Sequence, residues 1–335
     1  MRVAVVDIGT NSTRLLIADV DPSGAVSEVV RRSTVTRLGD GVDASGSLSP
    51  QAIARVVDTL DEYRREVDAH DCAANLAVLT SAVRDATNGE GFAARVREQY
   101  GFDARVLTGE EEAQLTFLGA MSDRLDEAQS AGERPASDER SDKQDHDRHA
   151  AEEPTLVIDI GGGSTEFIVG RRQVAGFHVS LPAGVVRMSE RHIHSDPPAS
   201  EELQSLAGDV RSVFLDGLPP GERAAVEQGV AVGGTATSAA AIELELDPYD
   251  SNRVHGYPLQ LATVELLLAR LADMSEAERR TLVGLHPDRA PTIVAGMILL
   301  EEAMRAFELT QVEVSERDIL FGGALRLAAA GGWRA

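Results

Sequence analysis

Val5–Ala18 reads VVDIGTNSTRLLIA, and Val157–Gly170 reads VIDIGGGSTEFIVG. At one offset of 152 residues Asp7 aligns with Asp159, Ile8 with Ile160, Gly9 with Gly161, Ser12 with Ser164 and Thr13 with Thr165, and apolar residues follow in both copies. Matches held at a single offset mark a duplicated structural unit. Each copy has the same grammar: a β-branched apolar run ending in aspartate, a turn of small polar residues, and a second apolar run. The pattern predicts a β-hairpin with its carboxylate at the mouth, made twice.

Downstream, each half repeats a second theme of apolar strand, small-residue turn and helix: LAVLTSAVRDATN at Leu76–Asn88 and GVAVGGTATSAAAIEL at Gly229–Leu244. Helical periodicity marks Gln51–Val67, Glu110–Met121, Glu201–Leu215, Leu261–Leu271 and Pro291–Phe307. Strands alternating with helices in both halves predict an α/β fold of two related domains facing a cleft, and 335 residues suit two domains. The domains are read as residues 1–125 and 154–330. Between them residues 126–153 lack any apolar stripe and read as an acidic disordered linker or insertion. From Met121 to Glu153 there are 11 acidic and 5 basic residues, so most of the net charge of −23 belongs to the folded halves.

That charge disfavours non-specific binding to nucleic acid or anionic membrane. Lys143 is the only lysine, so no Walker-A loop is available. A Rossmann fingerprint fails as well, because the position that needs its last glycine is Glu166. Cys72 is the single cysteine and reads as a partly buried thiol, with neither a disulfide nor a zinc cluster to join. Asp7 interrupts the N-terminal apolar run too early for a secretory segment, and Thr292–Leu300 is too short to span a bilayer. A cytoplasmic protein is expected.

The two hairpin turns suit phosphate. Backbone N–H groups and short hydroxyls form a nest for an anion without any lysine. Asp7 and Asp159, emerging from their strands, either coordinate a hard divalent cation or position water. Gly233-Gly234-Thr235 follows a strand and opens a helix, which is compatible with phosphate binding or with plain strand–helix packing. In LTGEEEAQLTFLGA (Leu107–Ala120) Thr108 or Gly109 caps a helix, and Glu110, Glu111 and Glu112 fill its first turn, where the dipole favours negative charge. His192 and His194 read as surface residues and His255 as a loop contact. Arg187 suits either the cleft or a salt bridge. Arg14 takes the repeat position held by Glu166 in the other half, which places it on the phosphate side.

Together DIGTNSTRLL, TSAVRDATN, TGEEEAQLTFLGA, VIDIGGGSTE, VGGTAT and HPDRAPTIVAGMILLEEAM resemble the exopolyphosphatase/guanosine pentaphosphate phosphohydrolase (Ppx/GppA) family, in order and over nearly the whole chain. The resemblance implies two duplicated actin/hexokinase-like (ribonuclease H-like) domains facing a central cleft, in the short two-domain form that lacks a helical C-terminal domain. It implies Mg²⁺-dependent release of terminal orthophosphate from inorganic polyphosphate, short chains above long, or from guanosine pentaphosphate. By the same resemblance Glu112 is the general base on the attacking water, and Asp159 and Glu166 hold Mg²⁺ or orient that water. Asp7, Asn11, Ser12, Arg84, Gly161, Gly162, Gly163, Ser164, Gly233, Gly234 and Thr235 hold phosphate. The expected partner is the substrate, with no nucleic acid and no membrane, and a homodimer stays open. The rivals are an ATP-dependent kinase of the same superfamily and a non-catalytic guanosine pentaphosphate sensor. The GEEEA segment argues against the first, and the retained Glu112, Asp159 and Glu166 against the second.

Overall fold

The run RVAVVDI forms β1 (Arg2–Ile8) and is buried beyond its first residue, as a strand covered on both faces must be. In the computed structural model, which describes residues 1–122, 153–172 and 174–330, β2 (Ser12–Val20) and β3 (Val26–Val35) continue antiparallel from it. The strands β4 (Ala74–Leu79) and β5 (Asp103–Val106) add parallel on the other side, giving the order β3-β2-β1-β4-β5. The second half repeats the plan. Here β6 (Thr155–Ile160), β7 (Thr165–Arg171) and β8 (Val174–Leu181) form the meander, and β9 (Gln228–Val232) lies parallel to β6. With β10 (Tyr257–Gln260) and β11 (Gln311–Val314) the order is β10-β11-β9-β6-β7-β8. Both expected hairpins form, and five strands of each sheet share one topology, with β10 an added antiparallel edge strand in the second. Apart from Glu153, the segment read as an insertion lies outside the described residues.

Among the described residues the helices of eight or more residues are α1 (Pro50–Ala69), α2 (Gly89–Tyr100), α3 (Gly109–Ala120), α4 (Val185–His192), α5 (Ser200–Gly217), α6 (Gly234–Glu243), α7 (Leu261–Ala272), α8 (Ile293–Ala306) and α9 (Ile319–Ala330). None is long and apolar enough to cross a membrane. In α1, Ser49 accepts a hydrogen bond from the Ala52 N–H and Pro50 occupies the first turn, where its missing N–H costs nothing. The buried stripe Ala52, Val56, Leu60, Tyr63, Val67 then seats the helix on the first sheet.

The other faces of the sheets are covered crosswise. The helix α3, from the first half, packs Ala113, Phe117 and Ala120 on Val157, Ile168 and Val230 of the second sheet. The helix α9, from the second half, packs Leu320, Ala324 and Leu327 on Val3, Val5, Leu16 and Leu76 of the first. The two cross in backbone contact. A Cβ on Gly119 would stand 1.9 Å from the Asp318 carbonyl oxygen, and one on Gly322 1.9 Å from that of Leu115. Only glycine at both positions permits that crossing. Each half thus carries the other's cover, and the cleft opens where the strand ends β1 and β6 face each other.

Candidate active site

Strand register sets the site. Across the first sheet Val78, Asp7, Arg14 and Ser33 lie in one row; across the second the corresponding row is Val232, Asp159, Glu166 and Ser180. The rows are equivalent in position and opposite in electrostatics. In the first, Arg14 donates to Asp7 Oδ2 from Nε (3.0 Å) and Nη2 (2.6 Å), and its other arm reaches Asp318. In the second, two carboxylates oppose each other across β6–β7, and no arginine hydrogen-bonds either among the described residues.

The duplicated turns close identically. The Gly9 N–H donates to the Ser12 carbonyl at 3.0 Å, and the Gly161 N–H to that of Ser164 at 2.9 Å. The turns also touch across the cleft: a Cβ on Gly162 would stand 3.0 Å from Asn11 Cβ, Asn11 N and Thr10 Cβ. Behind Gly163 the hydroxyls of Thr10 and Ser81 hydrogen-bond each other at 2.9 Å. Arg187 donates from Nε to the Gly163 carbonyl at 2.8 Å and pairs with Asp43 of the first half, so of its two readings the salt bridge is the one formed. The third turn, Gly233–Thr235, opens α6; Gly233 has φ 83°, the left-handed region that favours glycine.

The three glutamates of α3 have separate duties. Thr108 Oγ1 accepts from the Glu111 N–H (3.2 Å) while Glu111 Oε2 accepts from the Thr108 N–H (2.9 Å), a capping box that uses Glu111. Glu110 is exposed. Glu112 is 8% exposed and lines the cleft. Arg84 donates from Nη1 to Glu112 Oε2 at 2.8 Å and to the Leu107 carbonyl at 3.0 Å. The structure therefore gives Arg84 the Glu112 carboxylate as its immediate partner, and the charge of Glu166 across the cleft also acts on it.

Asp7, Asn11, Ser12, Glu112, Asp159, Gly161, Gly162, Ser164, Glu166, Gly233, Gly234 and Thr235 all line one cleft. Burial pushes the Glu112 carboxyl up, and Arg84 holds it down. Burial, then the charges of Asp318, Glu112 and Asp7, push Asp159 up to about 7 against the pull of Arg14. Burial and the charges of Glu112 and Asp159 drive Glu166 well above the usual carboxylate range, opposed by hydrogen bonds from Ser164 and Ser180. Carboxylates that raise one another across a cleft are a mark of functional sites. No group of three or more His, Cys, Asp or Glu side chains is placed to hold a metal by itself among the described residues.

The sequence reading gave no role to several residues that the fold brings here: Thr10, Ser81, Arg289, Asp318 and Ser180. Three stand inside the motifs DIGTNST, TSAVRDATN and HPDRAPT, so their neighbourhood was marked. The guanidinium of Arg289 lies flat over the third turn; a Cβ on Gly234 would meet its Nη1 at 1.6 Å. No hydrogen bond or ion pair holds that guanidinium among the described residues, and burial and the charge of Arg14 lower its pKa. Elsewhere His192 Nε2 pairs with Asp209 at 3.0 Å, His194 is exposed, and His255 Nδ1 accepts from the Glu316 N–H at 3.3 Å. Cys72 is half-buried, and burial raises its thiol.

Known proteins share this arrangement. The profile of the Ppx/GppA phosphatase family matches residues 16–130 and 146–322. Exopolyphosphatase 2 of Mycobacterium tuberculosis is 36% identical over 339 residues, covering 98% of both chains. Exopolyphosphatase 1 of Mycobacterium bovis is 30% identical over 327 residues, 97% of this chain and 88% of that one. The crystal structure of the Aquifex aeolicus Ppx/GppA family member superposes with a TM-score of 0.77 at 28% identity, covering 100% of this chain and 99% of that one. With a family model matched over most of its length and a relative 36% identical over 98% of both chains, the chain belongs to the Ppx/GppA phosphatase family.

Proposed function

We propose that this protein is a Mg²⁺-dependent phosphohydrolase that releases terminal orthophosphate from inorganic polyphosphate, with Glu112 as the base. The observation that carries the reading is Glu112 itself. It is buried, held by Arg84, and faces two duplicated turns whose N–H groups suit phosphate. The similar exopolyphosphatases of mycobacteria support the choice of substrate.

The turns Gly9–Ser12, Gly161–Ser164 and Gly233–Thr235 bind the non-bridging oxygens of the terminal phosphates, and Arg289 adds the one cation over the third turn that no acidic group pairs with among the described residues. Glu112 accepts a proton from water as the water oxygen bonds to the terminal phosphorus. The bridging P–O bond breaks, its electron pair leaves with the shortened chain, and orthophosphate departs. Arg84 favours the ionised form of Glu112 against its burial, and a base must be ionised. Asp159 and Glu166 fit a divalent cation. They are two opposed carboxylates, driven upward and lacking an arginine, and Mg²⁺ takes one or two carboxylates and completes its shell with water and phosphate oxygens. Bound there, Mg²⁺ would offset charge on the phosphate oxygens.

The test is orthophosphate release from polyphosphates of defined length and from guanosine pentaphosphate, each with and without Mg²⁺. Glu112→Gln keeps polyphosphate binding and loses ~10²–10⁴-fold in turnover, the usual cost of a positioned base. Turnover close to wild type in that variant removes Glu112 from the role. ADP formation from ATP plus an acceptor, without polyphosphate hydrolysis, would replace the hydrolase reading with a kinase.

A further inference from the structure

We propose that Ser180 is a positioning residue for Glu166: its hydroxyl turns that carboxylate so that one oxygen is left free toward the phosphate turn. This residue lies on β8, directly opposite Glu166 in the antiparallel register. Cross-strand partners on one sheet face have Cβ atoms ~4.5–5.5 Å apart, which a serine and a glutamate bridge easily. Its Oγ donates to Glu166 Oε1 at 2.7 Å, and Ser164 Oγ donates to the same oxygen at 2.6 Å. Glu166 is 4% exposed, and among the described residues no hydrogen bond reaches its Oε2. That oxygen lies 3.9 Å from where a Cβ on Gly161 would stand, above the second phosphate turn.

Both donors go to one oxygen, and they leave the other bare where a ligand would come. Ser164 belongs to the turn and lines the cleft, so its hydroxyl also faces ligand. Ser180 does not line the cleft, and Glu166 is its only side-chain hydrogen-bond partner among the described residues. In the equivalent row of the first sheet Ser33 stands opposite Arg14, which Asp7 and Asp318 hold. The support from Ser180 is therefore particular to the half in which the central residue is a carboxylate. The start of α3, which carries Glu112, also comes within reach: Ser180 Cβ is 4.0 Å from a Cβ placed on Gly109. One serine thus fixes Glu166 beside the helix that presents the base.

The inference rests on the proposed role of Glu166 toward a divalent cation, and its test separates the two. Ser180→Ala and Ser180→Thr are compared with wild type by Mn²⁺ titration followed by electron paramagnetic resonance, without substrate. Polyphosphate hydrolysis and thermal melting are measured in parallel. Groups that orient a ligand typically cost 10–100-fold in metal affinity or activity when removed. Ser180→Ala is expected to weaken Mn²⁺ binding and kcat by ~10-fold or more, with KM for polyphosphate nearly unchanged and a melting temperature close to wild type. Ser180→Thr, which keeps the hydroxyl, restores both. Mn²⁺ affinity and kcat in Ser180→Ala equal to wild type, or Ser180→Thr as impaired as Ser180→Ala, overturns the proposal. If wild type hydrolyses no polyphosphate the hydrolase reading fails, and the Mn²⁺ comparison alone decides the role of Ser180.

Discussion

Replacing Arg84 by methionine removes a charge and little volume, and it separates two duties that one arginine could have. The sequence motif suggests a phosphate contact; the structure puts the guanidinium 2.8 Å from Glu112 Oε2. An opposite charge within ~4–6 Å lowers a carboxyl pKa by about 1–3. The Arg84 side chain is 26% exposed, so water screens part of the effect. Burial and the charges of Asp7 and Asp85 already push Glu112 up. Without Arg84 they act unopposed, and the acid limb of kcat/KM moves to higher pH. A base must be ionised, and its ionised fraction on that limb falls tenfold for every pH step of about 1 below its pKa. The variant therefore loses about 10-fold or more there. Most of the loss returns at high pH, where Glu112 is ionised in both proteins. The assay is initial orthophosphate release across pH, with kcat and KM separated. A loss that is constant with pH and sits in KM, with the acid limb unmoved, refutes the assignment and returns Arg84 to phosphate.

Gly162→Ala puts a methyl 3.0 Å from three atoms of the opposing turn, against ~3.5–4.0 Å for carbon contacts. The halves must part by about 0.5–1 Å, enough to cost on the order of 10²-fold in hydrolysis where alignment matters, with little change in melting temperature because the cleft opens and the cores stay packed. Unchanged turnover in that variant would mean that the touching turns are not part of the reacting state. Asp159 gives a stability test. Its folded pKa of about 7 lies above the unfolded value of ~3.9, so its contribution is full below ~3.9 and is lost as pH rises through about 7. The melting temperature of Asp159→Asn minus that of wild type, measured without divalent cations, should therefore grow from pH 5 to pH 8. Mg²⁺ should narrow the gap at pH 8 and not at pH 5, because a carboxylate ligand must be deprotonated. A gap that shrinks with pH in the absence of metal contradicts the raised pKa.

Local patterns carried much of the fold. Both hairpins were legible because a β-branched apolar run, a terminal aspartate and a small-residue turn are short-range signals, and their repetition made the duplication visible. The helix Gly109–Ala120 was legible too, but its pattern did not say which glutamate faces the cleft; the family resemblance alone pointed to Glu112. Only the capping box that engages Glu111, and the packing of Phe117 on the other half's sheet, leave Glu112 pointing inward. The strand β8, the helix α9 and the ion pairs of Arg14 and Arg187 left no comparable trace, since each depends on partners far away in the chain. Asp318, for example, lies 304 residues from the arginine that binds it.

By itself the sequence determined the duplicated strand–turn–strand unit, the α/β class and the small-residue turns, because these follow from side-chain pattern and backbone freedom within a dozen residues. Only the tertiary structure decided what the turns face. It exchanged α3 and α9 between the halves, set Asp159, Glu166 and Ser180 in one row, and gave Arg84 to Glu112 and Arg14 to Asp7. The physical reason is that register and packing fix electrostatics at the scale of a few ångströms. Whether an arginine neutralises a carboxylate or leaves it facing its twin is settled by which strand lies beside it.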